Sequence, residues 1–160
     1  INRAAHFCGG RMQTRVANLG TSYSVSIWFW NGMPIDSRPV LGWMFGRGQN
    51  YSAQATGEGL GLNAKGQLIF ANGQETVTGK ANTERWKWHH AVLVRDQEKV
   101  QVYLNGKLEI SGKAKAMSNV ETLFLGGRNN KESSWEGRLD EAAVFDRALS
   151  EKEIKTLFLP

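Results

Sequence analysis

A chain of 160 residues with 20 Lys and Arg against 15 Asp and Glu has the length of one domain and a formal charge of +5. The basic residues are spread along the chain among acidic neighbours, with no basic cluster interleaved with aromatics, which argues for a solvated surface and against nucleic acid as partner. No apolar run is long enough to insert across a membrane, and one cysteine, Cys8, excludes an internal disulfide.

The chain opens on Ile1 without signal-peptide character and enters structure quickly. Residues 1–160 are therefore expected to form a single domain excised from a longer protein. His6-Phe7 and Met12 to Val16 suggest an opening strand pair broken by Gly9-Gly10, with Cys8 a buried small hydrophobe. Tyr23 to Trp30 alternates cleanly: Tyr23, Val25, Ile27 and Phe29 share one face, Ser24, Ser26, Trp28 and Trp30 the more polar other. Asn31 to Pro39 is a loop, Val40 to Phe45 a strand, and Gly46 to Gly57 a long glycine- and amide-containing loop.

Leu60 to Leu62 and Gln67 to Ala71 form the next pair, followed by a short strand at Glu75 to Val77. A meander then runs from Arg85 to Gly112. In it Trp88, His90, Val92 and Val94 oppose His89, Ala91 and Leu93 across the pleat. After a polar turn at 96–99, Val100, Val102 and Leu104 alternate with Gln101 and Tyr103. Asn105-Gly106 predicts a type I′ hairpin, because that turn needs φ > 0 at both positions. Leu108 and Ile110 share a face on the return. Thr122 to Leu125 and Leu139 to Phe145 are the last strands, around a polar loop over 128–134. Ser150 with Glu153 reads as a capping box before a short helix that offers Ile154, Leu157 and Phe158 to the strands. Many short strands with regular turns argue for an all-β sandwich or barrel.

Trp88-His89-His90, the strand after it and Tyr103-Leu104-Asn105-Gly106 resemble the centre of the laminin-G-like, concanavalin A-like jelly-roll domains. Gly126-Gly127, Trp135 to Glu141, Val144-Phe145, Arg147 to Ser150 and Glu153-Ile154 are similar to that family's closing strand and helix. The resemblance spans about Ala5 to Leu157. It implies an all-β, antiparallel two-sheet jelly-roll sandwich with one short C-terminal helix, serving as a binding or spacer module in a larger exported protein. A secreted, periplasmic or cell-surface location, and other domains of the same parent chain as partners, follow from the same resemblance.

Glycoside hydrolases also use this fold, and a retaining site needs two carboxyl groups about 5 Å apart on one face. Asp140 and Glu141 are adjacent, so a regular strand directs them oppositely, and no catalytic residue is assigned. His89-His90 diverges for the same reason, and His90 is expected to be a satisfied, buried imidazole. Many relatives hold calcium through acidic residues where Cys8-Gly9-Gly10 stands here, so no metal is assigned, with Asp140 the best ligand if calcium binds.

The aromatics remain. Sugars stack their C–H faces on rings while amides and charges meet the hydroxyls. Trp30, at a strand end beside a loop, is the candidate platform, with Trp28 beside it. Arg47, Asn129 and Asn130 are the expected polar donors, and Trp135 a further ring. The expected function is a non-catalytic module binding a glycan or a protein partner, the alternative being a structural spacer without a ligand.

Overall fold

The computed structural model describes residues 3–49, 57–130 and 133–159. The middle of the loop expected over 46–57, and part of that over 128–134, lie outside them. In chain order the strands are β1 (Ala5–Cys8), β2 (Met12–Arg15), β3 (Tyr23–Asn31), β4 (Gly42–Arg47), β5 (Glu58–Leu62), β6 (Gln67–Asn72), β7 (Glu75–Asn82), β8 (Trp88–Asp96), β9 (Lys99–Leu104), β10 (Lys107–Lys113), β11 (Thr122–Leu125) and β12 (Glu136–Phe145). The helix α1 (Glu151–Phe158) follows. They form two six-stranded antiparallel sheets, β1-β12-β3-β8-β9-β10 and β2-β11-β4-β5-β6-β7, which make the expected jelly-roll sandwich.

The core lies between the sheets. Tyr23, Val25, Ile27 and Phe29 point into it from β3, with Ala91 and Leu93 from β8 and Val100, Val102 and Leu104 from β9. They meet Phe45, Leu60, Leu62, Leu68, Phe70 and Leu123 of the second sheet. The strict alternation along β3 and β8 produces this face, because successive Cβ atoms leave a strand on opposite sides.

The first sheet also buries part of its outer face. There α1 lays Ile154 onto Val92, Val94, Tyr103 and Leu149, which makes Tyr103 part of a second apolar cluster and not a solvent-facing residue. The capping box is formed: Ser150 Oγ accepts the Glu153 N–H, and the Ser150 N–H donates to Glu153 Oε2 at 2.9 Å. At the far end of the helix Phe158 stacks on Trp28 and His90, with ring centroids 5.9 and 6.2 Å away.

Several expectations change. β1 and β2 do not pair with each other; each is the edge of a different sheet, and Gly9-Gly10 carries the chain between them. Cys8 is exposed, since only Phe7 of β1 reaches the core. β7 runs to Asn82, five residues beyond the expected strand end. In β10 a bulge between Leu108 and Ile110 breaks the shared face, leaving Leu108 exposed and Ile110 buried. The hairpin is as expected, with φ of 50° at Asn105 and 75° at Gly106.

A buried polar cluster ties the sheets together. Tyr23 of β3 donates its hydroxyl proton to Glu58 of β5, and Arg95 of β8 lies 3.0 Å from the same carboxylate. Burial pushes the Glu58 carboxyl up, and Arg95, Tyr23 and Arg47 pull against that rise.

Candidate functional site

α1 covers only part of the outer face of the first sheet. In the uncovered part, strand register places His6, Arg138, Trp30 and Trp88 side by side on β1, β12, β3 and β8. Asp140, Trp28 and His90 form the parallel row nearer the helix. The parity that buries Ile27 and Phe29 therefore turns Trp28 and Trp30 outward, onto the polar side of the sheet as expected. Arg138 lies over the Trp30 ring, 5.1 Å from its centroid.

The turn before β8 adds a ring. Trp86 has φ 64°, a left-handed conformation unusual for a bulky side chain. Its N–H donates to Asn31 O at 2.9 Å, and the Asn31 N–H donates to Lys87 O at 3.2 Å, so the turn is tied to the end of β3. The indole leans on Trp30 at 4.9 Å between centroids, and the Arg85 guanidinium sits 4.2 Å from its own centroid. Trp86 is nevertheless 57% exposed and Trp88 40% exposed. Large exposed aromatics cost hydration free energy that a purely structural role does not require.

Beyond Trp88 the face dips into an open depression of about 580 Å³, bounded by Ala4, Trp28, Trp88, Arg138, Asp140 and Glu141 and, from the helix end, Leu157 and Leu159. Both carboxylates reach it because β12 bulges here. Asp140 pairs with Trp28 and Ala143 with Ser26, so two residues of β12 face Ile27 alone, and Glu141 takes φ 47°. This corrects the expectation that Asp140 and Glu141 point oppositely: the extra residue turns them to one side. The Glu141 N–H donates to Asp140 Oδ1 at 2.9 Å, which closes the bulge.

His90 lies buried beneath this face. Its Nε2 is 2.7 Å from Ser26 Oγ and its ring stacks on Trp28 at 5.0 Å, while Nδ1 has no hydrogen-bond partner among the described residues. The expected imidazole is therefore buried but only half satisfied. Burial lowers its pKa to about 4, so it is neutral at physiological pH. His89 points the other way and stacks on Phe29 in the core.

The structure does not bring the other sequence-expected residues to Trp30. Arg47 is fully buried on the core side of β4, donating to the carbonyls of Leu19, Gly20 and Val120 and lying over Tyr23. The first sheet itself separates its guanidinium from the outer rings. Asn129 is buried against Gly48, and Asn130 accepts an Arg11 N–H through its carbonyl; both belong to the loop beside β4 of the second sheet. Trp135 is a core residue packed edge-on to Phe29. Among the described residues no group of three or more His, Cys, Asp or Glu is placed to hold a metal, and no helix is long and apolar enough to cross a membrane.

A family model described as the concanavalin A-like lectin/glucanases superfamily matches residues 9–155. No curated protein matches the sequence closely enough to count as a relative. Among solved structures the chain is similar to domain 4 of AbnA, a GH43 extracellular arabinanase from Geobacillus stearothermophilus, in complex with arabinotriose: 20% identity, TM-score 0.71, covering 98% of this chain and 76% of that one. It is also similar to the IT-sialidase CBM40 of Ruminococcus gnavus bound to α2,3-sialyllactose, at 12% identity and TM-score 0.76, covering 98% and 96%. A third similar structure is the NanB sialidase of Streptococcus pneumoniae, at 17% identity and TM-score 0.78, of which this chain spans 27%. At these identities the likeness establishes the fold.

Proposed function

This chain belongs to the concanavalin A-like lectin/glucanases superfamily, and we propose that within it the chain is a non-catalytic carbohydrate-recognition module. Its binding face is the strip running from Trp86 over Trp30 to Trp88 and into the depression beside Trp28. The observation that carries this reading is Trp86, an indole more than half exposed on a backbone held in the left-handed region. Such strain persists only where the surrounding turn enforces it, and it concentrates at binding sites. Rings at this spacing offer a sugar chain successive stacking surfaces.

Trp30 and Trp28 are proposed as rings of this face, as the sequence suggested, with Trp86 and Trp88 as its more exposed rings. Arg138, Asp140 and Glu141 supply the polar contacts in place of Arg47, Asn129 and Asn130. The arabinanase domain holds arabinotriose and the CBM40 holds sialyllactose, which supports an oligosaccharide ligand on this architecture. The CBM40 matches this chain end to end as a binding module, which supports the non-catalytic reading. We propose that the module sits in a longer exported protein, as the similar domain 4 does in an extracellular arabinanase, where it would hold neighbouring domains near a glycan.

The test is a glycan array with the isolated chain, Trp88→Ala and Trp86→Gly. Kd values of roughly 1 mM to 1 μM are expected for the wild type. Each variant should lose the signal while keeping stability within about 1 kcal/mol, because both rings are exposed and glycine fits the Trp86 conformation. A wild type that binds nothing would leave the spacer alternative. Turnover of a bound glycan, abolished by Asp140→Asn, would make the chain an enzyme.

A further inference from the structure

The depression lets the ligand class be narrowed, and this step rests on the carbohydrate-binding reading above. Its walls carry Asp140 and Glu141 against the single guanidinium of Arg138. The ion pairs among the described residues engage Glu121, Glu136, Asp36, Glu84, Glu58 and Glu153, so neither Asp140 nor Glu141 is held in a direct ion pair, and Arg138 offsets at most one of the two charges. Arg138 is itself laid over Trp30, which holds its charge above the aromatic strip.

We infer that the site selects neutral glycans and rejects acidic ones. A neutral sugar presents hydroxyl groups that both donate and accept. Its O–H groups donate to the free oxygens of Asp140 and Glu141, Arg138 N–H groups donate to its oxygens, and its C–H face rests on Trp88. Asp140 Oδ1 already accepts the Glu141 N–H, which fixes that carboxylate in place before any ligand arrives.

A sialylated, uronic or sulfated ligand would bring its own negative charge against two carboxylates. Rejection by like charge is a common source of specificity. The overall charge of +5 acts in the other direction at long range, drawing anions weakly to the whole surface. Salt at about 0.15 M separates these effects, because the diffuse attraction acts beyond the Debye length of about 8 Å and is screened, while repulsion between a bound anion and the two carboxylates acts at contact distance and is screened much less.

The decisive experiment compares lactose-terminated glycans with their α2,3-sialylated counterparts at 0.15 M salt, using the wild type, Trp88→Ala and the double variant Asp140→Asn, Glu141→Gln. The wild type should favour the neutral member by about tenfold or more, and the double variant should lose most of that preference. Asparagine keeps the acceptor for the Glu141 N–H, and a thermal melt checks that the double variant folds. If it does not fold, the wild-type ratio alone decides. A wild type that prefers the sialylated glycan through Trp88 would overturn this inference while leaving the carbohydrate reading intact. Absence of binding to this pair and to every other glycan on the array would overturn both.

Discussion

His90 shows how one residue links the site to stability. It is sandwiched with Trp28 and Phe158, and burial holds its pKa at about 4, below the ordinary value near 6.5. Between these values the unfolded chain binds the proton and the folded chain does not. His90 therefore contributes stability that is whole above about pH 6.5 and is lost as pH falls through about 4, by at most about 3 kcal/mol. Urea unfolding of the wild type and His90→Phe, compared at pH 7.5 and 4.5, should show a steeper acid loss in the wild type. Parallel losses would contradict this assignment. Trp28 and Trp30 were legible as outward-facing from the parity of β3 alone. Trp88 was not legible because its exposure depends on where α1 stops, and Trp86 because its exposure depends on the left-handed turn before β8. The helix covers Val92 and Val94 but leaves Trp88 of the same strand face open, and no local pattern in the sequence sets that limit.

Local elements were the most legible, since their signals act over a few residues. The Asn105-Gly106 turn formed with both φ values positive, and Gly106 lies 3.5 Å or more from Phe158 when a Cβ is added. Gly106→Val should destabilise by about 1–2 kcal/mol through backbone strain and not through a clash, and an unchanged melting temperature would count against the turn. Ser150→Ala removes the acceptor of the Glu153 N–H and should cost about 1 kcal/mol. Amide exchange near Ile154 should accelerate with it; equal protection in both proteins would reject the cap. Bulges were not legible. The one in β12 changes which side Glu141 faces, and the one in β10 exposes Leu108. The β12 bulge depends on β3, far away in sequence, as does the separation of β1 and β2 into different sheets; the β10 bulge lies inside the β9–β10 hairpin, where regular alternation of Leu108 and Ile110 gives no sign of it.

At the scale of the molecule, two sheets are held by apolar packing and by one buried charge cluster. Glu58 offsets Arg95 and accepts from Tyr23 across the core, with Arg47 over the same ring. Glu58→Ala would leave buried guanidinium charge without its carboxylate and should cost about 3–5 kcal/mol in a urea melt. A loss below about 1 kcal/mol would show that the cluster is not essential to the fold. This pairing joins β5 to β8 and could not be read from either segment alone. The sandwich itself was legible because alternation, turn chemistry and the ordered motifs of the family agreed. We propose the outer face of the first sheet, beside α1, as the place where a glycan lies. The chain has six tryptophans, and each indole N–H gives a separate resonance in a ¹H–¹⁵N spectrum. Titration with a neutral oligosaccharide that binds on the array should shift the indole signals of Trp28, Trp30, Trp86 and Trp88. Those of Trp43 and Trp135, buried elsewhere, should stay in place. Shifts confined to Trp43 or Trp135, with the four outer indoles unmoved, would contradict the account.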